Sequence, residues 1–156
     1  MLAFTLYSWL KSFHVLMAVV WVGGNVAMQI VATRVNRSGN RQFAYELTQQ
    51  FEFVGTRIFT PASLLLLILG IWMVAIGPWN FGMLWIDLGI AMFLFSFVSG
   101  AFYLGPHLKK LKETADREGL EAPAVNAIIK NIFVVSRIEL VLLILIVFDM
   151  VLKPGA

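Results

Sequence analysis

The stretch Trp9-Leu-Lys11-Ser-Phe-His14-Val-Leu-Met-Ala-Val-Val-Trp21-Val-Gly23-Gly24-Asn25 decides how this chain is read. It belongs to a hydrophobic run that continues to Ile30, long enough at about 1.5 Å per residue to cross a bilayer. The run nevertheless carries a lysine and a histidine in its first half, where polar groups are expensive. At about 100° per residue, His14, Trp21 and Asn25 fall within about 20° of one line along the helix, with Lys11 and Gln29 on its flank. An ionisable side chain inside a membrane segment marks a functional candidate that faces the bundle interior.

Composition supports the membrane reading. Of 156 residues, 60% are hydrophobic and only 13% charged, and the mean hydropathy is +0.83. A soluble domain is nearer half apolar and a quarter charged, so the excess apolar surface here requires lipid. The absence of cysteine excludes disulfides, iron–sulfur clusters and thiolate metal sites. A net charge of +3 points to no nucleic-acid partner. The first apolar run is too long for a removable signal peptide and has no small-residue cleavage site.

The pattern predicts one all-α domain over residues 1–156, an integral membrane up-and-down four-helix bundle. Its spans are expected at roughly 4–32, 53–76, 81–105 and 124–152. Asn36 to Arg41 reads as a turn, followed by an amphipathic segment to about Glu52. Gly77-Pro78-Trp79-Asn80 reads as a tight turn that brings the third span back antiparallel beside the second, and Pro106 is expected to close that third span. His107 to Glu121 reads as a solvated helical extension with a turn at Gly119. No internal repeat stands out.

Arg34, Arg37, Arg41, Lys109, Lys110, Lys112 and Arg117 fall in the two longer loops, against Lys11 and Lys153 on the other side. The positive-inside rule then predicts cytoplasmic loops and both termini outside. Counting along the spans puts Lys11, His14, Asp87 and Asp149 in the outer half, Arg57 and His107 near the inner surface, and Arg137 and Glu139 near the middle. His14 and His107 are separated by roughly 20 Å of bilayer, which excludes a metal or haem bridged by both. Arg137 and Glu139 lie about 200° apart around their helix, so they do not pair with each other. Glu139 therefore needs its own partner or a proton.

These residues form the candidate site. His14 suits an axial haem ligand, because neutral imidazole is a common metal ligand and bundles hold cofactors between facing helices; the plainer alternative is an interhelical hydrogen bond. Trp21 and Asn25 would line the pocket. Arg57 would bind a propionate or phosphate, or snorkel to headgroups. Arg137 calls for a buried anionic partner. Gly23-Gly24 would admit either a cofactor or a close helix.

The motif Lys11-x-x-His14-x6-Trp21-x-Gly23-Gly24 resembles the opening helix of HemJ-type protoporphyrinogen oxidases and of CopD-like copper-resistance membrane domains. Arg57-Ile-Phe-Thr60-Pro61-Ala62 with Gly70, Tyr103-Leu104-Gly105, and Arg137 and Glu139 with Lys153-Pro154 continue the likeness over nearly the whole chain. The resemblance implies a four-helix membrane fold associated with haem b, with His14 in the position of the first-helix histidine and also the metal ligand. It implies a redox or haem-handling role, as in porphyrinogen oxidation. The chain departs from the HemJ pattern in the third helix, with Asp87 where that family carries a lysine and Ala101 or a neighbour in place of a histidine. A non-enzymatic accessory or assembly subunit of a larger membrane complex, or a homo-oligomer, is the alternative. Copper handling comes third, because no methionine or histidine cluster is present.

Overall fold

A computed structural model describes residues 2–156 and contains helices joined by short turns. Four long helices dominate: α1 (Thr5–Ser38), α2 (Arg41–Ile76), α3 (Leu84–Glu118) and α4 (Pro123–Leu152). Each is long and apolar enough to cross a membrane. Side chains such as Ile30, Ile68, Phe102 and Phe148 stand exposed on the outside of the bundle, as a lipid-facing surface requires. The fold is an all-α integral membrane bundle.

The helices outrun the spans read from hydropathy. The turn expected over Asn36 to Arg41 shrinks to Gly39-Asn40. Gly39 takes φ +70° at the end of α1, and the Asn40 side chain accepts a 2.9 Å hydrogen bond from the Phe43 N–H to start α2. The third helix begins at Leu84 rather than Phe81, and it does not stop at Pro106 but runs to Glu118.

Pro106 is tolerated because of what precedes it. α1, α2 and α3 each contain one π-helical turn, at Val19–Gly23, Gly55–Phe59 and Gly100–Leu104. In the last two, the N–H of Thr60 reaches back to Gly55 O and that of Gly105 to Gly100 O, five residues rather than four. Pro61 and Pro106 follow immediately, at the first turn of renewed α-helix, where a missing N–H costs nothing. The segments Gly55–Pro61 and Gly100–Pro106 thus share one device at one spacing, a local repetition that hydropathy conceals.

A helix of 34 to 36 residues is about 51–54 Å long, whereas the hydrocarbon core is about 30 Å thick. The surplus lies at the basic end, which carries the α1–α2 and α3–α4 turns. There all four helices close on one core: Ala32 and Val35, Ala44 and Leu47, Leu108, Leu111 and Ala115, and the α4 row from Val125 to Phe133. The stretch from His107 to Glu118 is therefore not a merely solvated extension, because Leu108, Leu111, Thr114 and Ala115 are buried. Arg41 ties the start of α2 to the α3–α4 turn through a 2.8 Å ion pair with Glu121.

At the opposite end, which carries both termini, the helices pair instead of closing. α1 packs along α2 and α3 along α4. The tight turn does return α3 antiparallel to α2, but their terminal halves are not packed side by side; each leans on its other neighbour. A cavity opens between the pairs.

The basic-end core should dominate stability. Leu111→Ala, at a position with 0% exposure, is expected to cost about 2–5 kcal/mol. Leu65→Ala, at 49% exposure on the lipid-facing side, should cost less than about 1 kcal/mol. Denaturation of the two purified variants in mild detergent measures the contrast.

Candidate functional site

The cavity between the helix pairs has a volume of about 710 Å³ and is lined by all four helices. That is within the range of about 300–1,000 Å³ typical of small-molecule and cofactor sites. Its walls are apolar and aromatic, with Trp21, Trp85 and Phe93 among them; its polar groups are few and include Lys11, His14 and Lys153.

His14 is fixed on the α1–α2 wall. Its Nδ1 lies 2.9 Å from the carbonyl oxygen of Leu66. A carbonyl only accepts, so Nδ1 carries the proton and donates it, which leaves the Nε2 lone pair for another partner. Gly70 gives the ring its seat, since a Cβ there would come within 3.1 Å of the imidazole Cε1. Backbone donation from one ring nitrogen is the arrangement that orients a metal-ligating histidine.

Trp21 is buried in the wall, edge-on to Phe93 with ring centroids 5.5 Å apart. This contact spans the two helix pairs and forms the floor of the cavity. Gly23 and Gly24 divide the roles expected of them. A Cβ on Gly24 would run into the Phe59 ring at 2.5 Å, so this glycine permits close packing of α1 on α2. Gly23 lines the cavity, and a Cβ there would meet nothing within 4 Å.

The rim at the terminal end is stitched across elements. Trp79 Nε1 donates to the Tyr7 hydroxyl at 2.9 Å, and the Lys153 Nζ lies 4.1 Å from the Trp79 ring centroid and 5.4 Å from that of Trp85. Lys153 is held there by a left-handed turn at φ 47° that ends α4. Lys11 joins it in the cavity lining from α1.

Three of the expected site residues lie elsewhere. Asn25 points its amide at its own helix, donating from Nδ2 to the Trp21 carbonyl at 2.8 Å, and is not part of the cavity lining. Its spacing from His14 is correct for a straight α-helix, but the π turn between them rotates the later residues away from the line. Arg57 and Arg137 are exposed on the outside of the bundle toward the basic end, and neither lines the cavity. Among the described residues neither forms an ion pair. Asp87 also stays outside the lining, its carboxylate accepting from the Gly82 N–H in the first turn of α3.

Other groups were not legible as site residues. Met73 and Met150 place thioethers in the lining, and only tertiary packing distinguishes them from the remaining methionines. Asp149 is buried where α4 meets α3, with one carboxylate oxygen, Oδ2, unpartnered beside Gly89; the indole N–H of Trp85 is likewise unpartnered. His107 is far from His14: its Nδ1 lies 2.8 Å from the Tyr103 carbonyl, toward the basic end. Among the described residues, no three histidine, aspartate or glutamate side chains converge on one point.

The chain belongs to the family described as "Predicted integral membrane protein (DUF2269)", whose model matches residues 8–154. Neither the curated proteins nor the solved structures give a match.

The two adjacent glycines should respond oppositely to substitution. Gly24→Val is expected to lower stability by about 1–3 kcal/mol by pushing α1 off Phe59. Gly23→Ala should leave it unchanged or raise it by up to about 1 kcal/mol, the helix-propensity gain. Melting temperatures of the two variants in detergent separate the roles.

Proposed function

We propose that this DUF2269 family member binds haem b in the cavity between its helix pairs, with the His14 imidazole as axial ligand and a redox or haem-handling role. The observation that carries the reading is the bond from His14 Nδ1 to the Leu66 carbonyl, which leaves Nε2 unprotonated, with its lone pair available to a metal, in a side chain that lines an apolar cavity. The resemblance of Lys11-x-x-His14-x6-Trp21 to the first helix of HemJ-type oxidases supports the same residue in the same role.

The remaining lining fits such a group. Trp21 and Phe93 offer aromatic walls to a flat apolar body. The ammonium groups of Lys11 and Lys153 are the cations that would pair with peripheral carboxylates, in place of Arg57 and Arg137, which face away. The thioethers of Met73 and Met150 belong to a donor class that haem iron accepts. Haem b supplies one-electron chemistry when bound; the protein supplies ligation, orientation and exclusion of water. By the positive-inside rule the basic end lies in the cytoplasm, so the cavity serves the outer half of a bacterial inner membrane and both termini lie outside.

Expression with ample haem, purification in mild detergent and an optical spectrum test this reading. A Soret band in the wild type that is lost or strongly shifted in His14→Ala is the expected result. A haem-free wild type, or a band indifferent to His14→Ala, overturns it. A haem-free protein that co-purifies with a defined membrane subunit would favour the accessory role instead.

A further inference from the structure

On the far side of the α3–α4 pair lies a second concavity, an open groove of about 630 Å³ lined by apolar side chains together with Ser99, Tyr103 and Glu139. Phe95, Val98, Phe102 and Ile138 on its walls are exposed to the surroundings of the bundle, so the groove faces lipid. Glu139 sits at its base with 9% exposure. Ser99 on α3 lines the same groove, and the carboxyl oxygen Oε1 of Glu139 is buried without any partner. A Cβ at Gly100 would stand in ordinary van der Waals contact with that oxygen, at 3.9 Å.

No cation answers this carboxyl group. Among the described residues Glu139 takes part in no ion pair. Arg137, two residues away on the same helix, is exposed on another face. The α1 surface nearest this part of α4 presents Gln29, whose amide donates to the Ser136 hydroxyl at 2.5 Å and not to Glu139. Asp149 lies ten residues further along α4, about 15 Å away. The titratable groups on the basic side are Tyr103, in the same groove, and His107, whose ring stacks on Tyr103 at 4.0 Å. A carboxylate charge without a cation is costly at such a depth, and a proton removes that cost.

We propose that Glu139 is a membrane-embedded proton-binding site, which takes up and releases a proton at the base of the α3–α4 groove and exchanges it with the basic end past Tyr103 and His107. The site is separate from the cavity around His14 and does not depend on what that cavity holds. The lipid-facing groove keeps bulk water from competing for the carboxyl group.

Dicyclohexylcarbodiimide, an apolar reagent that attacks protonated carboxyl groups, is the probe. Treatment of the full chain in detergent, followed by peptide mass spectrometry, should find the adduct on Glu139. Labelling should be at least about fivefold slower at pH 9 than at pH 6, because only the protonated acid reacts. Glu139→Gln should abolish it. The wild-type infrared spectrum is the second measurement and requires no variant: a protonated-carboxyl band should be present, shift in D2O and fade as pH rises. Absence of an adduct on Glu139, labelling indifferent to pH, or a carboxyl band that neither exchanges nor titrates overturns the proposal.

Discussion

The closure of all four helices around Leu111, Val125 and Ile132 at the basic end is the packing on which the rest of the bundle depends. Between helices surrounded by lipid there is little hydrophobic drive to associate, since lipid tails are as apolar as leucine. Where the helices extend past the hydrocarbon, water restores that drive. The basic-end core therefore fixes the spacing and direction of four helices whose membrane portions have only local contacts to hold them. It also anchors the turns, through the Asn40 cap and the Arg41–Glu121 pair.

With one end closed, the other can remain open. The terminal halves pair as α1 with α2 and α3 with α4, and the contacts that bridge the pairs are few: Trp21 against Phe93 at the cavity floor, and the Tyr7–Trp79–Lys153 rim above. A cavity of about 710 Å³ persists because no water-driven collapse removes it. The π turns contribute at the same level of organisation. They let α2 and α3 pass Pro61 and Pro106 without breaking, so each helix serves both the membrane and the basic-end core.

The two buried polar features differ in chemistry. His14 gives one ring nitrogen to a backbone carbonyl and lines the largely apolar cavity between the helix pairs. Glu139 has an unpartnered carboxyl oxygen in a lipid-facing groove. They lie on opposite sides of the α3–α4 pair.

By itself the sequence determined that this is an all-α membrane protein, because apolar runs of such length have only one stable form in lipid. It also placed His14 and Trp21 on one helix face, and both line the cavity although Trp21 already lies within the π turn. What the sequence could not supply was the relation between helices. Asn25 left the expected line because a π turn, set by hydrogen-bond register and not by composition, rotates the chain between it and His14. Arg57 and Arg137 share the membrane with His14 but face outward, and Lys11 and Lys153 occupy the place foreseen for them. Hydropathy reports how deep a residue lies. Which way it faces, and across what, is decided only when four helices pack, because that depends on contacts between residues far apart in the chain.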